Sequence, residues 1–152
     1  MSIKDKLKEL GLTLPTAALP VAAYVPAVKT GNLVFVAGQL PLVDGKIVKE
    51  GKVGKEVTPD EAKEMAQLCA LNALAAISLV ADIDKIEKIV RVGGFVNGIP
   101  GFTAISSVID GASNLFVKVL GEIDGKHART SIGVAELPLN SPVELEVIIL
   151  LK

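Results

Sequence analysis

Apolar residues recur at helical spacing in two parts of the first half of the chain. Residues 2 to 10 alternate charged and apolar side chains and are followed by Gly11, which predicts a short leading helix on the surface of the domain. The run Thr58-Pro59-Asp60-Glu61 has the N-cap residue, the first-turn proline and the glutamate of a capping box, so a long helix begins there. Met65 to Ala81 carries no charge but falls short of the roughly 20 apolar residues that cross a membrane, so we expect a buried helix.

Runs rich in β-branched and apolar residues predict the strands. They are Val21 to Lys29, Leu33 to Ala37, residues 46 to 49, Ile86 to Val96, and two final runs on either side of residues 137 to 142. A second helical pattern extends from Phe102 to Leu120, and Asp110-Gly111 near its middle should weaken or kink that helix. The predicted order is a helix followed by β-β-β-α-β-α-β-β. This order is typical of an α+β domain with two helices against one face of a mixed sheet.

Two charged residues stand out in the last quarter of the chain, where both strands are otherwise apolar. Arg129 lies near the start of one strand and Glu144 near the start of the next, and we expect these strands to be adjacent. An isolated buried charge costs several kcal/mol or more, so each must be paired or solvated. These two residues are therefore the first candidates for a site. Glu146 shares a face with Glu144, and His127, in a loop, is interpreted as exposed and incidental.

Composition narrows the classes of function. The chain has 152 residues, which suits one domain over residues 1–152, with residues 1–11 as an N-terminal helical extension. Acidic residues number 17 and basic residues 16, so nucleic acid is an improbable partner. Half of the residues are hydrophobic, which favours a homo-oligomer. We expect a cytoplasmic protein, because the chain has a single cysteine and shows no secretory signal or membrane span. We expect no metal, because the sequence has no cluster of metal ligands.

Four short motifs along the chain point to a known family. They are Ala23-Tyr24, Val34-Phe-Val-Ala-Gly-Gln-Leu-Pro41, Arg129-Thr-Ser-Ile-Gly-Val-Ala-Glu-Leu-Pro138 and Val143-Glu-Leu-Glu146. With the element order between them, the chain resembles the Rid family, also called YjgF or endoribonuclease L-PSP, in a longer form with an N-terminal helix. The resemblance implies a chorismate-mutase-like fold and a cytoplasmic homotrimer with clefts at its subunit interfaces. It also implies hydrolysis of reactive enamines and imines, such as 2-aminoacrylate or 2-iminobutyrate, to 2-oxo acids and ammonia without a cofactor.

The resemblance also assigns roles to residues of this chain. Arg129 would hold the carboxylate of the substrate, and Glu144 would orient or activate the attacking water. Tyr24 would line the mouth of the cleft from a neighbouring subunit, and packing at an interface is an equal alternative for it. The backbone near Gly38 would position the substrate. Ser106 and Ser131 stand at two further positions of the substrate site.

Three positions depart from the pattern of the deaminating members. Ala37 replaces a serine, Ser106 an asparagine and Ser131 a cysteine. A lost polar contact is worth about 1 to 3 kcal/mol, so the deaminase would be slowed but would still bind carboxylates. A non-catalytic trimer that binds small carboxylates as a regulator is therefore an alternative. Endoribonuclease or translation-inhibitor activity ranks last, because the acidic balance and 3% aromatic content offer little to RNA.

Overall fold

The fold is an α+β arrangement in which the predicted elements occur in the predicted order. A computed structural model describes residues 1–19 and 22–152. Its helices and strands are α1 (Ile3–Glu9), β1 (Ala27–Thr30), β2 (Leu33–Gln39), β3 (Leu42–Val43), β4 (Lys46–Ile47), α2 (Pro59–Ile77), β5 (Ile86–Asn97), α3 (Ile105–Asp124), β6 (Ala128–Val134) and β7 (Val143–Leu151). Single 3-10 turns precede β5 and β7.

Five strands form one mixed sheet in the order β1-β2-β7-β5-β6. The β5 and β6 pair is parallel and the other pairs are antiparallel. The third predicted strand instead forms a separate two-residue hairpin, because β4 pairs only with β3. The expectation that the last two strands are adjacent is wrong, since β5 lies between β6 and β7. A helical crossover connects parallel strands, and α3 provides it from β5 to β6.

Alternate residues of β7 show how the sheet is covered. Val143, Leu145 and Val147 are buried, whereas Glu144 and Glu146 between them are partly exposed. Helices α2 and α3 pack together over the buried side, and the core lies between them and the sheet. The opposite side, which carries Glu144 and Glu146, is covered by neither helix and is called the free face below. Two helices on one face of a mixed sheet is the predicted arrangement.

The two long helices approach each other closely at a glycine. Thr58 and Glu61 form the predicted capping box at the start of α2. Gly111 is helical, and a Cβ at this position would overlap the backbone carbonyl oxygen of Lys63 on α2. The predicted kink of α3 at Gly111 is therefore wrong, because the helix continues through a glycine that permits close packing. The break in α3 is at Gly121, whose φ is 89°. No helix in the described ranges is long and apolar enough to cross a membrane.

The N-terminal segment differs from expectation in where its first strand begins. Helix α1 lies on the domain with Ile3 and Leu7 buried, and the backbone N–H of Ile3 donates to Asp84 Oδ1 at 2.8 Å. The first strand begins at Ala27 rather than Val21, because residues 22–26 bend and Pro26 has no N–H to donate to a ladder. Val21 itself lies outside the described residues.

Candidate functional site

The two charged candidates lie on opposite faces of the sheet. Arg129 is in register with Val92 of β5, which pairs with Val147 of β7, and these residues face the helices. Glu144 lies three residues before Val147 on β7 and points to the free face. Standard strand spacings place the two Cα atoms about 14 Å apart. A single chain therefore does not bring these side chains together, and each belongs to a separate polar cluster.

The first cluster surrounds Arg129 on the helix side of edge strand β6. Arg129 Nη1 donates to Asp110 Oδ1 at 2.8 Å and to Ser113 Oγ at 3.1 Å. Its Nη2 donates to the backbone oxygen of Ser106 at 3.4 Å, whereas the Ser106 side chain is exposed. The side chain of Arg129 is 22% exposed and that of Asp110 45%. Helix α3 thus neutralises the arginine and holds it at the sheet edge.

His127 extends this cluster toward the end of α3. Its Nε2 is 2.9 Å from Ser113 Oγ, and its Nδ1 is 2.7 Å from the backbone oxygen of Gly125. The edge of the imidazole packs against Phe116 with ring centroids 5.9 Å apart. Burial, with a smaller contribution from the Arg129 cation, lowers the pKa of His127 below its usual 6.5. The interpretation of His127 as an exposed, incidental residue is therefore wrong.

The sequence carries a signal for this cluster that the prediction of site residues did not use. Ser106, Asp110 and Ser113 are spaced at four and three residues, which places them on one stripe of α3. A polar stripe on a helix that otherwise packs apolar residues against a sheet indicates polar partners on the neighbouring strand. His127 and Arg129, two apart on the strand side, are those partners.

Ser131 follows Arg129 on the same side of β6. Its Oγ is buried and has no hydrogen-bond partner among the residues that the structure describes. A buried hydroxyl without a partner costs about 1–3 kcal/mol, so this position is destabilised by its unpaired oxygen.

The second cluster surrounds Glu144 on the free face. Within residues 1–19 and 22–152, its carboxylate has no hydrogen bond or ion pair to another side chain. A Cβ at position 38 would overlap Glu144 Oε1, so only glycine allows β2 to approach the carboxylate this closely. Burial, followed by the nearby charge of Glu146, raises the pKa of Glu144 above its usual 4.5. The carboxylate is thus half-buried, close to backbone and uncompensated.

The neighbouring Glu146 is used differently. Its Oε1 accepts from Arg91 Nη1 at 3.2 Å, and Arg91 Nη2 also donates to Thr130 Oγ1 at 3.4 Å. Of the two glutamates on β7, Glu146 is paired within the chain and Glu144 is not. The free carboxylate is the one that the sequence singled out.

An open groove of about 420 Å³ lies beside Gly38. Tyr24, Ala37, Gly38 and Leu139 are among its lining residues. Tyr24 and Gly38 therefore share one groove of the same chain. Three of the predicted site residues, Tyr24, Gly38 and Glu144, lie on one side of the molecule, and Arg129, Ser131 and Ser106 lie on the other. Among the described residues, no group of three or more His, Cys, Asp or Glu side chains is placed to hold a metal ion.

The family follows from sequence comparison. The family model for Endoribonuclease L-PSP matches residues 15–151. The chain belongs to this family. It is the family that the four motifs resemble, and the α+β fold with its mixed sheet is consistent with it.

The chain is similar to three proteins whose identity and coverage can be compared with it. Protein TCP17 of Trypanosoma cruzi is 38% identical over 148 residues, which cover 97% of this chain and 92% of that protein. A 2-iminobutanoate/2-iminopropanoate deaminase of Dermatophagoides farinae is 29% identical over 141 residues, covering 93% and 95% respectively. The crystal structure of a protein of unknown function from Agrobacterium tumefaciens superposes with a TM-score of 0.90 at 45% identity, covering 99% of this chain and 92% of that one.

Proposed function

We propose that this protein hydrolyses reactive enamines and imines of the 2-aminoacrylate or 2-iminobutyrate type to 2-oxo acids and ammonia. Water adds to the carbon of the C=N bond, and the C–N bond of the resulting carbinolamine then breaks to release ammonia and leave a carbonyl. The observation that carries the proposal is the half-buried, unpaired carboxylate of Glu144, which is seated against the Gly38 backbone. The distant relative described as an imine deaminase supports the same chemistry.

Glu144 is the proposed proton-transfer group. A carboxyl group that is partly removed from water binds a proton more readily than a solvated one, because burial disfavours its charge. As carboxylate, Glu144 would accept a proton from the attacking water, and as acid it would return the proton to the leaving nitrogen. A pKa nearer to the working pH makes both transfers more efficient.

Arg129 is the proposed carboxylate-binding group. Guanidinium groups bind carboxylates through two parallel N–H donors. Nη1 of Arg129 is occupied by Asp110 and Ser113, but Nε has no partner among the described residues. The edge formed by Nε and Nη2 is therefore the one that a substrate carboxylate would use, and the Ser131 hydroxyl lies two residues further along the same side.

A complete site requires two copies of the chain, because Arg129 and Glu144 face opposite sides of the sheet. We propose the homotrimer that the family resemblance implies, with Arg129 of one subunit brought close to Glu144 of the next. The free face carries apolar side chains that suit subunit contact, since Val28, Phe35 and Ile132 are 50%, 43% and 44% exposed.

A second function is favoured by one feature of the site. Ala37 supplies no hydroxyl beside Gly38. The missing polar contact would slow turnover more than binding. The alternative is a trimer that binds small carboxylates as a regulator without converting them.

Ammonia release from 2-iminobutyrate generated in situ tests the proposal. We expect the wild type to accelerate ammonia release and Arg129→Ala to lower that activity by at least about 100-fold. The reason is that charge-assisted bidentate hydrogen bonds are stronger than neutral ones. Lys126→Ala removes an exposed cation three residues away and serves as the matched control. If wild type and Arg129→Ala are equally inert, the deaminase proposal fails. Thermal stabilisation by 2-oxobutyrate without turnover would then select the regulatory alternative.

A further inference from the structure

The hydrogen bonds between Arg129 and His127 run in one direction. An arginine donates only, so Ser113 Oγ accepts from Arg129 Nη1 at 3.1 Å. A carbonyl oxygen accepts only, so His127 Nδ1 carries the hydrogen in its 2.7 Å contact with Gly125. In the neutral imidazole, Nε2 is then the acceptor and receives the Ser113 hydroxyl hydrogen across 2.9 Å. In the order Arg129 to Ser113 to His127 to Gly125, each of the three hydrogen bonds joins one donor to one acceptor.

This chain of hydrogen bonds fixes the orientation of the guanidinium. Nη1 is held by both Asp110 and Ser113, and Nη2 by the Ser106 carbonyl, so three points on α3 define the plane of the group. The edge formed by Nε and Nη2 keeps a free donor, because Nε has no partner among the described residues. An arginine has about 2 kcal/mol of rotamer entropy, and a side chain oriented in advance loses less of it when a ligand binds.

We propose that Ser113 and His127 are positioning residues that hold Arg129 with its Nε and Nη2 edge ready for the carboxylate of a small 2-oxo or 2-imino acid. The inference rests on the proposed function for the identity of this ligand. Ser113 acts through Arg129 and touches no reacting atom. His127 acts one step further away, by giving the Ser113 hydroxyl a fixed acceptor.

The surroundings of the imidazole favour its neutral form. Arg129 on β6 is the cation that faces it, and Asp110 on α3 lies beyond the guanidinium. Lys126 is paired with Glu122 at 2.7 Å, and Phe116 and Ser113 form the α3 side. Protonated His127 would donate from Nε2 to Ser113 Oγ, so the Ser113 hydroxyl hydrogen would lose its acceptor. Protonation therefore breaks the order of the chain.

The single histidine makes the first test direct, because the imidazole nitrogens of the whole protein give one set of NMR signals. We expect the Nδ1–H tautomer in the wild type at neutral pH. Ser113→Ala should broaden or shift the Nε2 signal, and Arg129→Gln should raise the pKa of His127 by removing a neighbouring cation. An Nε2–H tautomer, or a pKa and Nε2 signal unchanged in both variants, would overturn the proposed chain.

The second test separates positioning from folding. Isothermal titration with 2-oxobutyrate should show about tenfold weaker binding for Ser113→Ala, the size of one hydrogen bond to a charged group. In turnover measurements, Ser113→Ala should raise KM and leave kcat within about twofold of the wild-type value. Ser113→Thr keeps the hydroxyl and should restore binding. Ser107→Ala removes an exposed hydroxyl of the same helix that bonds only to the Ala104 carbonyl, and should bind normally.

The outcomes distinguish this inference from the proposed function. If no protein releases ammonia but Ser113→Ala still weakens 2-oxobutyrate binding, the deaminase proposal fails and the positioning role stands. If ammonia release is normal in Ser113→Ala with an unchanged KM and an unchanged affinity for 2-oxobutyrate, the positioning role is overturned and the deaminase proposal stands. Failure of the wild type to bind 2-oxobutyrate at millimolar concentration would also overturn the positioning role.

Discussion

The two polar clusters of this protein differ in how many hydrogen-bond and ion-pair partners the chain itself gives to their charged residues. Arg129 has three partners on α3, whereas Glu144 has none among the described residues and faces away from both long helices. The difference follows from which side of the sheet each residue occupies. On the helix side, the chain itself supplies partners. On the free face, a partner must come from a ligand, from water or from another copy.

This contrast suits the two different roles that the proposed reaction gives to Arg129 and Glu144. The cluster around Arg129 is arranged in advance to bind, while the Glu144 carboxylate remains free to exchange a proton. A carboxylate in a tight ion pair would have a lowered pKa and would be a poor base. Glu146 is not free in the way that Glu144 is, because Arg91 contacts it at 3.2 Å.

Glu144→Gln should produce the largest effect. We expect kcat for 2-iminobutyrate hydrolysis to fall by about 100-fold or more, since general acid–base groups contribute 100- to 10,000-fold. The amide keeps the shape of the side chain, so binding of 2-oxobutyrate should change little. Ammonia release and titration calorimetry measure the two quantities separately.

Glu146→Gln is the matched control, two residues away on the same strand and the same face. It should retain most of the activity and lose only the contact with Arg91, which is solvent-exposed and of small energetic value. A greater loss of activity in Glu146→Gln than in Glu144→Gln would reverse the assignment of the two glutamates.

The pH dependence of stability checks the same carboxyl group independently of activity. A pKa raised in the folded state means that folding favours the protonated form, so its contribution is present below the unfolded value and is lost as pH rises through the folded value. Glu144→Gln does not titrate. Its melting temperature relative to the wild type should therefore increase as pH rises above about 4.5.

Mixing two inactive variants should produce the second largest effect. Arg129→Ala retains Glu144, and Glu144→Gln retains Arg129. If a site takes one residue from each of two subunits, an equal mixture reassembled at random should recover about a quarter of wild-type activity, since half of the neighbours supply each intact residue. Ammonia release after denaturation and joint refolding measures the recovery.

Refolding each variant alone is the control, and neither should recover. A mixture that stays as inactive as its components would show that both residues act within one chain or that one of them is unnecessary. It would contradict the two-copy site derived from the opposite faces of the sheet.

Much of the fold could be predicted because its signals are local. The capping box at Thr58 and Glu61 depends on residues three apart, and the structure forms it as the sequence indicates. The strand order could not be predicted in the same way. Placing β5 between β6 and β7 depends on the crossover by α3, and the sequence carries no local mark of that pairing.

The site shows the same limit at the level of single residues. Motifs identified Arg129 and Glu144, but the sequence alone placed them on adjacent strands and treated His127 as incidental. Their true relation depends on which face each residue occupies across three strands, which a one-residue shift in register would reverse. The Gly111 position is similar, because its close approach to Lys63 is a contact between helices 48 residues apart in sequence.

Ala37→Ser should produce the smallest effect, and it tests what limits the Glu144 half of the site. Residue 37 lines the groove beside Gly38, and a hydroxyl there would supply the polar contact that deaminating members of the family carry. One such contact is worth about 1 kcal/mol, so we expect kcat to rise by about fivefold. Ala135→Ser, one residue beyond the end of β6, provides a control serine outside this groove. Ala37→Ser could instead leave kcat unchanged and strengthen the binding of 2-oxobutyrate. That result would show that the groove binds a carboxylate without helping to convert it, and it would support the regulatory alternative against the deaminase.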